Sequence, residues 1–101
     1  MKVAFRQTGG FAGTFRGCDL DDTSLPPAEA RDLRRLVATS GVHAARSAGP
    51  SAARDLVQYE IVIENSGGIH SVAFDDMTIP AGIGPLLTYL QLRTKPIAPP
   101  G

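Results

Sequence analysis

Apolar residues recur along this chain with two different periods, and the changes from one to the other divide it into elements. Val3 and Phe5 alternate with Lys2, Ala4 and Arg6, the period of a half-buried strand, so residues 3–7 read as a first strand. A second follows over 14–20, where Phe15 and Gly17 share one parity while Cys18 and Leu20 share the other. An isolated strand glycine often marks a bulge, and one near Gly17 would reconcile the two sets. Residues 1–20 are therefore read as a hairpin with a glycine-rich tip. The period lengthens after Ser24-Leu25-Pro26-Pro27, where prolines suit a first helical turn and Glu29 suits the dipole. A helix is predicted from about Pro26 to Ser40, with Ala30, Leu33, Leu36 and Val37 on one face and Gly41 as its C-terminal cap.

Residues 42–55 show neither period and include Gly49-Pro50, so they are read as a long connection of the kind that is usually functional or disordered. The strongest strand is 56–64, where Val57, Tyr59, Ile61 and Ile63 alternate with Gln58, Glu60 and Glu64, and only Val62 breaks the pattern. Asn65-Ser66-Gly67-Gly68 signals a turn, and a partner strand at 69–74 offers Val72 and Phe74 to the core. Ile83, Leu86, Leu87 and Leu90 have the i, i+3, i+4, i+7 spacing of a core-facing helix, regular from about Gly84. The expected fold is α+β: one four-stranded, mainly antiparallel sheet, element order β-β-α-β-β-α, with two helices on one face. Residues 1–93 form the single domain, and 94–101, with Pro96, Pro99 and Pro100, a loose tail.

Charge changes this picture little. Ten basic and ten acidic side chains balance, and the arginines are scattered, so neither nucleic acid nor an anionic membrane is an expected partner. No run approaches the ~20 apolar residues of a membrane helix, and the first residues lack the apolar core of a secretory signal. A cytoplasmic protein is expected. Cys18 is the only cysteine, and is read as a small buried hydrophobe.

Candidate chemistry is sparse. Cys18, His43 and His70 have no metal-ligand spacing, and His70 shares the parity of Val72 and Phe74, so a packed or edge histidine is the reading. No Ser or Cys stands beside a His and an acid in a nucleophilic arrangement. Asp21-Asp22 and Asp75-Asp76 lie ahead of helix starts and read as caps. Thr8-Gly9-Gly10-Phe11-Ala12-Gly13 lacks the Lys-Ser/Thr of a phosphate loop and opens no helix. Its glycines permit positive φ; Phe11 either folds back onto the core or is offered outward to something that receives it. No metal or cofactor is implied, and the chain reads as a binding protein, not an enzyme.

One resemblance sharpens this. Gly9-Gly10-Phe11-Ala12-Gly13 after an N-terminal strand, Leu25-Pro26-Pro27-Ala28-Glu29-Ala30 with Leu33-Arg34-Arg35-Leu36-Val37, Tyr59-Glu60-Ile61-Val62-Ile63-Glu64, His70-Ser71-Val72-Ala73-Phe74-Asp75 and a Leu-rich last helix together resemble the emfourin family. The resemblance implies a small bacterial protein, a protealysin inhibitor by analogy, that inhibits a thermolysin-like zinc metallopeptidase by placing surface loops in its active-site cleft. On that reading Thr8, Gly9, Gly10, Phe11, Ala12 and Gly13 bind the peptidase, with Phe11 filling the apolar pocket that such enzymes keep for the residue after the scissile bond. The second contacting loop depends on strand direction. If 56–64 runs in the direction of 14–20, the connection bearing Arg46, Ser47, Ala48, Gly49 and Pro50 joins the first loop; otherwise the turn at 65–68 does. The former is favoured, because its length can reach. The free protein is expected to be a monomer. The alternatives are a non-inhibitory adaptor for a neighbouring enzyme and, more remotely, a small enzyme using Asp75, Asp76 or His70.

Overall fold

A computed structural model describes residues 1–9, 14–45 and 56–97. In chain order the elements are β1 (Lys2–Gly9), β2 (Thr14–Asp21), α1 (Pro27–Ser40), β3 (Val57–Asn65), β4 (Gly68–Asp75), α2 (Gly84–Gln91) and a two-residue β5 (Lys95–Pro96). The strands form one sheet in the order β4-β3-β1-β2-β5, and every neighbouring pair is antiparallel. Alternation decides which face is covered. Phe5 lies opposite Cys18 and Ile61, Val3 opposite Leu20 and Ile63, and Ile61 opposite Val72. These side chains meet Leu33 and Val37 of α1 and Ile83, Leu86, Leu87 and Leu90 around α2 in one core. Phe5, Leu33, Ile61, Leu86 and Leu90 are fully buried, each worth about 1.5–3 kcal/mol of transfer free energy. Both helices thus lie on one face, as the two periodicities require.

The other face carries Arg6, Thr8, Phe15, Gly17, Glu60 and Val62, by the same cross-strand pairings. Val62 breaks the alternation of its strand because it sits half-buried on this open side.

Three expectations need correction. The sheet has five strands, not four, and a strand follows the last helix. β5 pairs Pro96 with Arg16 and Lys95 with Gly17, and the Ile97 amide donates to the Phe15 carbonyl at 3.0 Å. Arg16 reaches across to the hydroxyl and carbonyl oxygens of Thr94, at 3.2 Å each. A strand of two residues, one a proline tolerated only at a sheet edge, is too short to show alternation. It falls within 94–101, and residues 98–101 lie outside the described residues.

The second correction concerns Gly17. β1 and β2 pair in unbroken register from Lys2 opposite Asp21 to Gly9 opposite Thr14, with no bulge. Phe15 simply faces the open side. Gly17 is small for another reason: a Cβ there would stand 2.5 Å from the Phe5 carbonyl oxygen and 3.0 Å from Arg6 Cδ. The Arg6 guanidinium lies beside it, donating to the carbonyls of Phe5 (2.8 Å) and Cys18 (3.3 Å) and pairing with Asp19.

The third concerns the acidic pairs, which cap neither helix. α1 begins behind Pro26 and α2 behind Ile83, both without a side-chain cap. Asp21 instead accepts hydrogen bonds from the amide and hydroxyl of Thr23, while Asp22 accepts from the Met1 amine (3.0 Å) and Arg34 Nε (2.9 Å). Gly41 does end α1 as expected, with φ 73°.

Candidate functional site

The site is defined by one row of the sheet. β2 and β3 both run antiparallel to the central β1, so they run in the same direction as each other. The end of β1, the start of β2 and the start of β3 therefore share one end of the sheet, where Gly9 is paired with Thr14 on one side and Val57 on the other. β4 finishes there too, with Asp75 opposite Gln58. The turn between Asn65 and Gly68 lies at the opposite end, near Lys2 and Asp21.

Gly9 shows why this row needs glycine. Its φ is 98°, and a Cβ would lie 2.9 Å from the carbonyl oxygen of Leu56. Both the left-handed backbone and the close approach exclude a larger residue without strain. The place where the chain leaves β1 is thus packed against the place where it enters β3. β3 runs in the direction of β2, so the 42–55 connection closes at this end and the 65–68 turn does not.

Of the candidate contact residues, Thr8 is half-buried, opposite Phe15 and Gln58, and Gly9 ends β1. Gly10, Phe11, Ala12 and Gly13 lie outside the described residues, as do Arg46, Ser47, Ala48, Gly49 and Pro50. Gly9 and Thr14 hold both ends of the first stretch here, and Leu56 holds the end of the second. The second leaves from the 41–45 turn at the opposite end, where the His43 ring lies against His70, the partner of Ile63.

Two residues that the hydrophobic pattern did not single out brace this end. Asp76 accepts a 2.6 Å hydrogen bond from the Tyr59 hydroxyl and a 3.2 Å bond from the Val57 amide, tying the exit of β4 to the entrance of β3. Burial, reinforced by the Asp76 carboxylate, pushes the Tyr59 phenol up to about 12. Asp75, itself buried, folds the following turn: its carboxylate accepts from the Met77 amide (2.8 Å) and Thr78 hydroxyl (3.0 Å). The Thr78 hydroxyl in turn accepts from the Asp75 amide at 2.9 Å. An Asp followed at short range by Thr was the available sign of such a turn.

Among the described residues no three His, Cys, Asp or Glu side chains cluster as metal ligands. Both carboxylates at the β4 exit are held by donors of their own. Cys18 is buried, its thiol directed to the Leu90 carbonyl at 3.8 Å and raised in pKa chiefly by burial. No described helix is long and apolar enough to cross a membrane.

The structure is a five-stranded antiparallel sheet backed by two helices, with the 10–13 stretch rooted at one end beside the close of the 42–55 connection. The chain belongs to the emfourin family, whose family model matches residues 5–91. Comparison with curated proteins and with solved structures gives no match. The matched span takes in both candidate loops and the Tyr59–Asp76 brace, and it stops short of β5.

Proposed function

We propose that this protein is a reversible protein inhibitor of a thermolysin-like zinc metallopeptidase, needing no cofactor and acting through its loops at the Gly9 end of the sheet. Family membership supports the inhibitor reading. The observation that carries the choice of surface is the double pairing of Gly9 with Thr14 and Val57, since it roots residues 10–13 beside the end of the 46–55 connection. A stiff base of this kind lowers the ordering cost of binding. The slim glycine backbone admits close approach to a cleft, and Phe11 supplies the apolar anchor for the pocket beyond the scissile bond. In this reading the free protein is a cytoplasmic monomer.

The test is inhibition of peptide hydrolysis by a thermolysin-like peptidase. Phe11→Ala should weaken inhibition by roughly 30- to 1,000-fold, the equivalent of losing an anchor worth ~2–4 kcal/mol, while the melting temperature barely moves. A comparable loss of folding stability would place the ring in the core and end this assignment. Replacing 46–50 with Gly and Ser at equal length should also weaken inhibition, and unchanged affinity would remove the second loop from the interface. A complex that forms but leaves hydrolysis intact would make the protein an adaptor instead.

A further inference from the structure

We infer that His43 and His70 form a two-histidine site for a divalent transition-metal ion, of the Zn²⁺, Ni²⁺ or Cu²⁺ class, at the corner between the end of α1 and β4. The two rings belong to separate parts of the chain, yet their centroids lie 5.7 Å apart with the planes inclined at 51°. With metal–nitrogen bonds of about 2.0–2.1 Å, two imidazoles on one tetrahedral ion have centroids about 5.2 Å apart. The observed separation is within about half an ångström of that, a shift available to the exposed His43 side chain by rotation.

Three further observations agree. His70 Nε2 is closed off from solvent and has no hydrogen-bond partner in the structure, a condition that costs roughly 1–3 kcal/mol unless something satisfies it. The rings border a pocket of about 110 Å³ that Asn65 and the Gly67-Gly68 backbone also line, and there the Asn65 side-chain oxygen accepts from the Gly67 amide at 2.8 Å. Finally, α1 carries no basic residue in its last turn, and His43 follows its Gly41 cap by two residues, where the negative end of the helix dipole favours a cation. Imidazole pairs select zinc, nickel and copper over magnesium and calcium. The ion ties the 41–45 turn to β4, immediately ahead of the connection that contains 46–50.

The test is calorimetric titration of the full chain, freed of adventitious metal with a chelator, using Zn²⁺ and Ni²⁺ alone. One saturable site with a Kd below about 1 mM is expected. Losing even a group that merely hydrogen-bonds a ligand costs 10–100-fold in metal affinity, so removing a direct ligand by His43→Ala should weaken binding roughly tenfold or more. Because His43 is exposed, that variant leaves the core intact; His70→Gln should behave alike, and Cys18→Ser should bind as the wild type does. Selective broadening of the two imidazole resonances by Ni²⁺ is the second readout. Absence of saturable binding, or binding that survives His43→Ala, overturns the proposal.

Discussion

Gly17 and Tyr59 show how much single positions in this sheet are constrained by neighbours distant in sequence. At Gly17 the obstacle to a side chain is the Phe5 carbonyl oxygen, 2.5 Å from where a Cβ would stand, with the Arg6 side chain behind it. The backbone cannot yield without disturbing the β1–β2 ladder. Gly17→Ala should therefore destabilise the fold by about 1–3 kcal/mol, read as a lower urea midpoint. At Tyr59 the hydroxyl spans to Asp76, and Tyr59→Phe should cost about 1–2 kcal/mol. The same contact predicts a pH dependence. The folded phenol titrates at about 12, against 10 for the free group, mainly through burial and then through Asp76. A proton held more tightly in the folded state stabilises it fully below the unfolded value. Stability should fall as pH rises from about 10 to about 12, and Tyr59→Phe should flatten that decline in alkaline melts.

Among the elements, the joint between β2 and α1 depends on Asp22. The carboxylate is held below its usual range, first by Arg34 of α1 and then by the Met1 amine. Here the sign is opposite to that of Tyr59. A carboxyl depressed in the folded state stabilises above its unfolded pKa, and the contribution is lost as pH falls through the folded value. Asp22→Asn should reduce stability at neutral pH and show a shallower acid decline below about pH 4, measured by thermal melts across acidic buffers. Element boundaries were largely legible from pattern. α1 ends at Ser40 and α2 begins at Gly84, as expected. The acidic pairs were not, because a carboxylate ahead of a helix can cap it, fold a turn or brace a strand. Which of these occurs is set by donors such as Arg34 and Tyr59 that arrive from elsewhere in the fold.

At the scale of the molecule, β5 closes the β2 side of the sheet with two residues, assisted by the Ile97 amide and the Arg16–Thr94 contacts. Ending the chain after Thr94 removes those backbone pairings and, among the described residues, no buried core side chain. It should lower stability by about 1–3 kcal/mol, the worth of a few net hydrogen bonds, and leave a cooperative transition. A collapse to a non-cooperative state would show that β5 has a larger part in the fold than its length suggests. Strand order also decides the candidate site, since the adjacency of Gly9, Thr14 and Val57 follows from the central place of β1.

Alternation in 3–7 and 56–64, the leucine spacing of the last helix and the glycine after Ser40 were enough to determine the long strands and helices and most of their buried apolar side chains. Those are local properties, since each depends on the spacing of neighbours along the chain. Tertiary structure alone decided that β1 lies between β2 and β3, that Lys95 and Pro96 join the sheet, that Gly17 is crowded rather than bulged, and that His43 meets His70. These are pairings between residues far apart in sequence, and the period of an isolated segment carries no information about which partner stands opposite it.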